Sequence, residues 1–543
     1  MSKIFFSKIS LLILLFFLSC THEKSLDKTI FRLNQSGGLE SLDPAFAKNL
    51  SIMWNVHFLF NTLTEVNKKM EVIPSLAKSW ELDESGLQYT FHLQNNVFFH
   101  DNPAFPNGIG RRMTAWDVQY SFDRLIDPKT ASSGAWIFND RVRKEKPFEV
   151  LNDSTFVIHL ATPFRPLPEI LSMPYCSIVP KEVVEKWGKD FRSHPCGTGP
   201  FQFIYWDEGN TLVLHKNPKY WEQDQQGNKL PYLDAVQISF NDTKATEFLL
   251  FRQGNLDFIN GIDGSFKDLV LTRNGDLKPD FINKFRLQKL VYLNTEYIGI
   301  LMDGNADLVK NSGLRFQKVR QAINYGFDRN KIVTYFRNGV GVPATTGFIP
   351  KGMPGTEHRT SRVYDYNPRK ALSLLAEAGF PNGKGLPPII LQCPEVSVDI
   401  CNFVASQLND IGIPVKVQVM QPGILRQEMS RSKTAFFKGQ WIADYPDAET
   451  YLAFFYSKLP APPNYTRFSD KKYDKLYLKS LQEQDNALRF SMYAQMDSII
   501  SETAPVVPLF YDEMLHFTQN NIVGFEQNPL NIIDLKRVKK IKP

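Results

Sequence analysis

Three carboxylates lie within an aromatic stretch near the C-terminal end of the chain, WIADYPDAETYLAFFYS (residues 441–457). They are Asp444, Asp447 and Glu449, and tryptophan, tyrosine and phenylalanine residues surround them. Acidic groups avoid apolar surroundings unless a cation, a hydrogen-bond donor or a ligand pairs with them, because an unpaired buried charge costs free energy. For each carboxylate the question is therefore whether a structural partner or a ligand explains it.

The local sequence gives two of these carboxylates a structural role. Asp447 follows Pro446 and precedes a helical pattern, which predicts that it is a helix N-cap. Glu449 then falls in the first helical turn, beside the positive end of the helix dipole. Asp444 lies before that helix, on a loop after the strand-like segment FFKGQWIA. Three roles are open for its carboxylate: it could form an Asx turn, make an internal salt bridge or bind a ligand.

Motifs of several enzyme classes are absent from the sequence. It contains no Gly-x-Ser-x-Gly, no His-Glu-x-x-His and no Walker loop. The segment GTGP at 197–200 is glycine-rich, but Pro200 has no backbone N–H to donate to a phosphate. The histidines are scattered, and neither CxxC nor a Cys/His cluster indicates a metal site. We therefore predict a protein that is not an enzyme and has no cofactor, with an exported hydrolase as the weaker alternative.

The first residues have the pattern of an export signal. Two lysines precede the apolar run LLILLFFL, which is too short to span a membrane and suits a signal peptide. The small residue Ser19 followed by Cys20 resembles a bacterial lipobox. We predict removal of residues 1–19, acylation of Cys20 and a lipid-anchored linker over 20–27, since two or more acyl chains hold a protein at a membrane. An ordinary secretory signal is the alternative.

Four cysteines remain if Cys20 carries lipid, and an exported protein meets an oxidising compartment. Four cysteines allow three sets of pairings. We favour the two local disulfides, Cys176–Cys196 and Cys393–Cys401, with free buried thiols as a nearly equal alternative.

Length and composition indicate a globular protein of several domains. The 543 residues exceed one ordinary core, which predicts two or three domains. The hydrophobic share of 43% and the charged share of 22% are those of a folded protein. The net charge of +6 is spread along the chain without a basic block, so we expect no nucleic-acid partner.

The apolar pattern predicts helices that alternate with strands. SLAKSWELDESGLQYTFHLQNNVFFHD (75–101) predicts a β-meander, and Thr114 caps a predicted helix over TAWDVQYSFDRL. Asn367 and Gly379 are the N-cap and C′ residues of another predicted helix. Residues 401–411 predict an amphipathic helix that leads into the strand VKVQV. This alternation is typical of α/β organisation.

Several segments together resemble a known family. In order along the chain, they are residues 75–101 with 114–125, GTGPF with HKNPKYW, VRQAINYGFDRNKIV, NPRKALSLLAEAGF and WIADYPDAETYL. They resemble the bacterial extracellular solute-binding proteins of oligopeptide, dipeptide and nickel ABC transporters (family 5), and the last segment resembles the peptide-binding branch. The matching segments span nearly all of the chain after the signal.

The resemblance implies an α/β fold of the periplasmic-binding-protein type. Two α/β lobes close like a flytrap around the ligand, and an additional α+β domain is inserted in the first lobe. The expected boundaries are lobe one at 28–61, 186–285 and 512–543, the inserted lobe two at 62–185, and lobe three at 286–511. The chain crossings near 285 and 511 are expected to form the hinge.

The resemblance also implies a ligand site. The family's Trp-x-Ala-Asp pattern falls on Trp441, Ala443 and Asp444, and its aspartate binds the α-amino group of a peptide. The backbone of the ligand is expected to add as a strand to an exposed edge. The other expected ligand-binding residues are Gly439, Gln440 and Trp441 in lobe three, and Gln35 and Ser36 in lobe one. Core packing is an equal alternative for Trp441, and the partner of the ligand's carboxylate stays open among many basic residues.

The function implied is that of a substrate-binding lipoprotein that captures peptides and delivers them to the permease and ATPase subunits of an ABC importer. We expect a monomer, anchored to the membrane by lipid and facing the periplasm or the cell exterior. Within the family, a nickel chelate, haem or an oligosaccharide is an alternative ligand, because a fold does not decide its ligand. A receptor that senses peptides without importing them is a further alternative.

Overall fold

The computed structural model describes residues 29–356 and 363–541. The predicted signal peptide, the lipidation site Cys20 and the linker lie outside the described residues. Within those ranges, the helices are all too short or too polar to cross a membrane.

The described chain forms 21 strands and 16 α-helices. In the first half the strands are β1 (Ile30–Asn34), β2 (Thr64–Val66), β3 (Val72–Pro74), β4 (Ala77–Leu82), β5 (Gln88–Leu93), β6 (Phe148–Asn152), β7 (Thr155–His159), β8 (Phe201–Asp207), β9 (Thr211–Lys216), β10 (Ala235–Ser239) and β11 (Phe258–Asn260). In the second half they are β12 (Phe285–Ile300), β13 (Val342–Pro343), β14 (Ile389–Cys393), β15 (Val415–Val419), β16 (Phe436–Ile442), β17 (Val506–Gln519), β18 (Ile522–Val523), β19 (Glu526–Gln527), β20 (Ile533–Asp534) and β21 (Lys539–Lys540).

The α-helices lie on and between the sheets. Their bounds are Leu50–Leu59, Ala115–Ile126, Leu167–Ile170, Lys181–Trp187, Lys244–Arg252, Gly264–Val270, Pro279–Ile282, Asp307–Lys310, Gln317–Tyr325, Arg329–Lys331, Pro368–Glu377, Val398–Asp410, Pro422–Ser430, Glu449–Leu452, Lys471–Gln482 and Asn486–Thr503.

One long sheet connects the two halves of the molecule. Its order is β15-β14-β16-β12-β17-β11-β1-β10-β9-β8, and β13 pairs with β17. The antiparallel strands β12 and β17 are its longest members, and their register shifts between Val291 and Thr295 and again between Glu296 and Tyr297. The chain was expected to cross between lobes one and three near residues 285 and 511, and these positions fall on β12 and β17. The division into three lobes itself stays a prediction.

A separate four-stranded antiparallel sheet, β4-β5-β7-β6, lies in the segment predicted as lobe two. Its strands β4 and β5 confirm the meander predicted over 75–101. The helix Ala115–Ile126 begins with the predicted capping box of Thr114 and Asp117. Its Phe122 ring packs against Phe138 at a centroid distance of 4.9 Å, in a core that this helix shares with the sheet. An α/β molecule with an additional α+β part is therefore what the sequence predicted.

Two predicted helices of the second half are observed with small changes. Asn367 caps Pro368–Glu377 and accepts the N–H of Lys370, and Gly379 follows with a φ of 90°, where a side chain would strain the backbone. The other helix, Val398–Asp410, begins three residues before the predicted start, because a 3-10 turn over Glu395–Ser397 leads directly into it.

The cysteines correct one expectation. Cys176, Cys196, Cys393 and Cys401 all lie in the described part of the chain, and all four are buried free thiols. The Cys176 thiol donates to the carbonyl of Ile170 (3.8 Å) and the Cys196 thiol to that of His100 (3.4 Å), so the Cys176–Cys196 disulfide is wrong for this structure. Cys393 and Cys401 are also unbonded, but their thiols share a hydrogen bond.

The predicted helix start at Asp447 is replaced by a buried ion pair. The helix is Glu449–Leu452 with Ala448 as its N-cap, although Asp447 Oδ1 still accepts the N–H of Glu449 at 2.9 Å. The Asp447 carboxylate instead pairs with the Arg489 guanidinium, and it accepts the Tyr493 hydroxyl at 2.8 Å. Both side chains of the pair are almost fully buried. The turn after β16 is thereby fixed to the long helix Asn486–Thr503.

We expect Asp447→Ala to lower the free energy of unfolding by about 3–5 kcal/mol, because it leaves the Arg489 guanidinium buried without its carboxylate. Urea unfolding followed by tryptophan fluorescence measures this loss. Asp307→Ala, at a highly exposed aspartate, is the matched control and is expected to change stability by less than about 0.5 kcal/mol. Equal stability of the two variants would contradict a structural role for the pair.

Candidate ligand-binding cleft

A cavity of about 780 Å³ lies where distant parts of the chain meet. Its walls come from the start of the helix Leu50–Leu59, from the β2–β3 hairpin, from residues 172–177, from the end of β16 and from the C-terminal segment 526–537. A space of this size is typical of sites for small ligands.

Asp444 lies at this cavity, two residues beyond the end of β16. Its backbone N–H faces the Thr450 hydroxyl at 3.5 Å, but its carboxylate has neither a hydrogen bond nor an ion pair with any residue in the described ranges. The Asp444 side chain is exposed to the solvent that fills the cavity. The protein around its carboxylate, with the nearby negative charge of Glu449, raises the pKa of Asp444 to about 6. The Asx-turn and salt-bridge alternatives therefore do not describe Asp444.

Trp441 supports the Asp444 turn and does not line the cavity. Its indole N–H donates to the carbonyl of Thr450 at 2.8 Å, and its ring packs edge-on against Phe454 at 5.1 Å. Since Thr450 also faces the N–H of Asp444, one residue connects the strand end to the short helix. These contacts agree with core packing, which was the alternative to a ligand-binding role for Trp441.

The end of β16 presents backbone beside the cavity. Gln440 is exposed and lines the cavity, whereas Gly439 lies opposite Tyr297, where an added Cβ would be 2.6 Å from the ring. On one side β16 pairs with β12 throughout, but on the other side it pairs with β14 only at Phe437. Within the described sheet, the backbone from Gly439 to Ile442 thus has no neighbouring strand on that side.

Gln35 and Ser36, the predicted binding residues of lobe one, do not lie at this cavity. The Gln35 side chain is buried. Its amide nitrogen donates to the Ser51 carbonyl at 3.3 Å, and its amide oxygen accepts from the Asn55 side-chain amide at 2.9 Å, so both bonds go to the helix Leu50–Leu59. Neither Gln35 nor Ser36 lines the cavity, so the structure does not bring these two predicted residues together with Asp444.

Most other charges at the cavity have a protein partner. Lys68 pairs with Glu526 at 2.7 Å. The buried Lys536 holds Glu65 at 2.8 Å and approaches Asp534 at 3.8 Å. These ion pairs fix the hairpin wall to the C-terminal wall, and they leave those carboxylates unavailable to a ligand.

Arg426 is a charged residue of the cavity that the sequence did not single out. It lies on the helix Pro422–Ser430, is exposed, and makes no side-chain hydrogen bond or ion pair with the described residues. Lys69, at the tip of the β2–β3 hairpin, is likewise unpaired among them. No local pattern marks Arg426, because only the fold brings its helix to the cavity that Asp444 also lines. The cavity thus presents unpaired charges of both signs.

Comparisons with known proteins agree with this architecture. The sequence model for bacterial extracellular solute-binding proteins, family 5 (middle part), matches residues 71–462. The glutathione-binding protein GsiB of Salmonella choleraesuis is 25% identical over 496 residues, which are 89% of each chain. The structure of HbpA2 from Haemophilus parasuis has a TM-score of 0.81 and 25% identity, over 95% of this chain and 100% of that one.

A complex of a relative with a peptide has the same fold. DppA from Helicobacter pylori, an ABC transporter-associated periplasmic binding protein solved with the peptide STSA, has a TM-score of 0.75 and 22% identity, over 96% of this chain and 100% of that one. The match of the family model over most of the chain, together with the α/β architecture and the cleft, shows that this chain belongs to family 5 of the bacterial extracellular solute-binding proteins.

Proposed function

We propose that this protein binds short peptides by their amino end and is the substrate-binding component of an ABC importer. The observation that carries the proposal is the Asp444 carboxylate, which faces the cavity without a partner among the residues that the structure describes. An ammonium group that loses its water inside a closed cleft needs a buried anion, and an unpaired aspartate supplies one. The names of two relatives support the ligand class, since GsiB is a glutathione-binding protein and DppA was solved with a peptide.

The backbone of β16 supplies affinity that does not depend on side chains. A peptide that extends from Asp444 along Gly439–Ile442 adds as a strand to the side of β16 that has no neighbour. Because main-chain hydrogen bonds are common to all peptides, this mode suits a receptor for ligands of varied sequence.

Arg426 is the proposed partner of the ligand's carboxylate. A guanidinium binds a carboxylate through two parallel N–H donors, and Arg426 has no competing protein acceptor in the described ranges. Lys68, by contrast, is occupied by Glu526. A ligand with one charge of each sign then matches both unpaired groups.

The proposed function also includes delivery of the bound peptide to the transporter. Acylation of Cys20 after removal of 1–19 tethers a monomer to the membrane, facing the periplasm or the cell exterior. Closure of lobe one (28–61, 186–285 and 512–543) on lobe three (286–511), with lobe two (62–185) carried along, presents the loaded protein to the permease and ATPase subunits.

We expect Asp444→Ala to weaken binding of the tetrapeptide Ser-Thr-Ser-Ala by about 2–5 kcal/mol, because it removes the anion that pairs with the ammonium. Isothermal titration calorimetry of the free-amine and N-acetylated peptides measures the difference. The N-acetylated peptide has no ammonium and should bind the variant and the wild type with nearly equal affinity. An equal loss for both peptides would make Asp444 a structural residue.

The pKa of Asp444 also predicts a pH dependence. The raised pKa of about 6 applies to the empty cleft, and a bound ammonium lowers it. Binding therefore releases a proton below pH 6, and affinity for free-amine peptides is expected to fall by up to about tenfold per pH unit there. Above pH 7 the Asp444 carboxyl is ionised and its titration no longer changes the affinity, so the decline toward pH 8 comes only from the peptide's α-amino group, whose pKa is about 8. Titrations at pH 5, 6, 7 and 8 test this, and a flat profile down to pH 5 would refute it.

We expect Arg426→Gln to weaken binding of a peptide with a free carboxylate by about 1.5–3 kcal/mol, the usual contribution of a hydrogen bond to a charged group. The C-terminally amidated peptide is expected to lose little. Arg431→Gln, just after the same helix and outside the cavity lining, is the matched control. If the amidated peptide loses as much affinity as the free acid, Arg426 does not bind the ligand's carboxylate.

A further inference from the structure

Glu449 is a fully buried carboxylate that neither the peptide site nor the helix start accounts for. Its side chain is closed to solvent, and its two oxygens accept the hydroxyls of Tyr445 and Tyr477. No described lysine, arginine or histidine lies within ion-pair distance of it. The titratable and charged groups that face it are Arg141, Asp444, Asp447, Tyr445, Tyr473, Tyr477 and Tyr493.

The surroundings of Glu449 offer two hydrogen-bond donors to its ionised form. Each of its oxygens lies against a tyrosine hydroxyl, and a hydroxyl can donate to a carboxylate. Burial raises the pKa of Glu449, while the charge of Arg141 and the two hydroxyls lower it. Burial and the Glu449 charge raise the pKa of Tyr445 and Tyr477 well above the ordinary value, so both hydroxyls stay protonated donors.

The charges of this turn do not balance. Asp447 is neutralised by Arg489, but Asp444 and Glu449 have no such partner in the described ranges. Asp444 and Glu449 belong to one turn, because the Asp444 N–H faces the Thr450 hydroxyl at 3.5 Å and the Tyr445 hydroxyl donates to Glu449. Burial and then the charge of Glu449 raise the pKa of Asp444. Apart from Arg141, which faces Glu449, the turn beside the cavity therefore has an excess of negative charge.

We propose that Glu449 is a positioning residue of the ammonium site, a second fixed negative charge that acts through Asp444 and increases the attraction of the cleft for a cationic ligand group. Tyr445 and Tyr477 hold this charge in place behind the aspartate that touches the ligand. A ligand's ammonium relieves the repulsion between the two carboxylates, so it gains from both. This inference rests on the proposed function, because it assigns the ligand group that pairs with Asp444.

The first test needs no peptide. Carbon-13 NMR of the ligand-free protein follows the titration of the Asp444 carboxyl, assigned by its loss in Asp444→Asn. In the wild type the midpoint is expected near pH 6, and in Glu449→Gln it is expected to fall toward the ordinary value of about 4. Glu502→Gln, at an exposed glutamate, is the matched control and should leave the midpoint unchanged. An unchanged midpoint in Glu449→Gln would overturn the inference whatever the ligand proves to be.

The second test uses the tetrapeptide Ser-Thr-Ser-Ala and its N-acetylated form at pH 7.5. Glu449→Gln is expected to weaken the free-amine peptide about tenfold, as one unit charge at moderate screening would, and the N-acetylated peptide less than twofold. An equal loss for both would mean that Glu449 only supports the fold. Failure of Asp444→Ala to discriminate the two peptides would instead overturn the proposed function, while the NMR result would stand by itself.

Tyr477→Phe keeps the inference testable if Glu449→Gln does not fold. This variant keeps the carboxylate and removes one of its two donors, which disfavours the ionised form. The NMR midpoint of the Asp444 carboxyl is expected to fall below the wild-type value in this variant, because neutral Glu449 no longer raises the pKa of Asp444. An unchanged midpoint in Tyr477→Phe would contradict the proposed role of Glu449.

Discussion

The cost of burying a carboxylate decides how the turn after β16 is built. Three acidic residues lie there among aromatic rings, and each is compensated differently. Asp447 is neutralised by Arg489, and Glu449 is hydrogen-bonded by two tyrosine hydroxyls. Asp444 faces the cavity and has no partner within 29–356 and 363–541. Because the first two are satisfied by the fold, the third is free for a ligand. In the proposed function, recognition depends on a charge that the described part of the chain leaves unpaired.

The scaffold explains why the turn can remain in this state. β16 is paired along its length with the long strand β12, and Trp441 at its end donates to Thr450 of the short helix. The pair Asp447–Arg489 fixes the same turn to the helix Asn486–Thr503. On the opposite wall, the buried Lys536 holds Glu65 of the β2–β3 hairpin. Because each wall is held by its own contacts, its charges are in place before the ligand arrives, which lowers the free-energy cost of binding.

The sequence predicted the local elements and the class of fold, because these depend on short-range patterns. The capping box of Thr114 and Asp117, the cap at Asn367 and the strands β4 and β5 are all local features, and all are observed. Asp444 was singled out because Trp441, Ala443 and Asp444 resemble the family's Trp-x-Ala-Asp pattern. Arg426 and the partner of Asp447, by contrast, come from distant parts of the chain, so no pattern around them marks their role. Gln35 was chosen for its place after β1, and only the fold reveals that the helix Leu50–Leu59 takes up its amide.

The most direct test of the amino-end site is a crystal structure of the protein with the ligand that it retains from the cell, together with mass spectrometry of that ligand. We expect an intact short peptide whose α-amino nitrogen lies within about 3 Å of an Asp444 carboxylate oxygen, the distance of a charge-assisted hydrogen bond. Its backbone should run beside Gly439–Ile442. A ligand without an ammonium group, or a peptide whose amino end lies away from Asp444, would contradict this assignment.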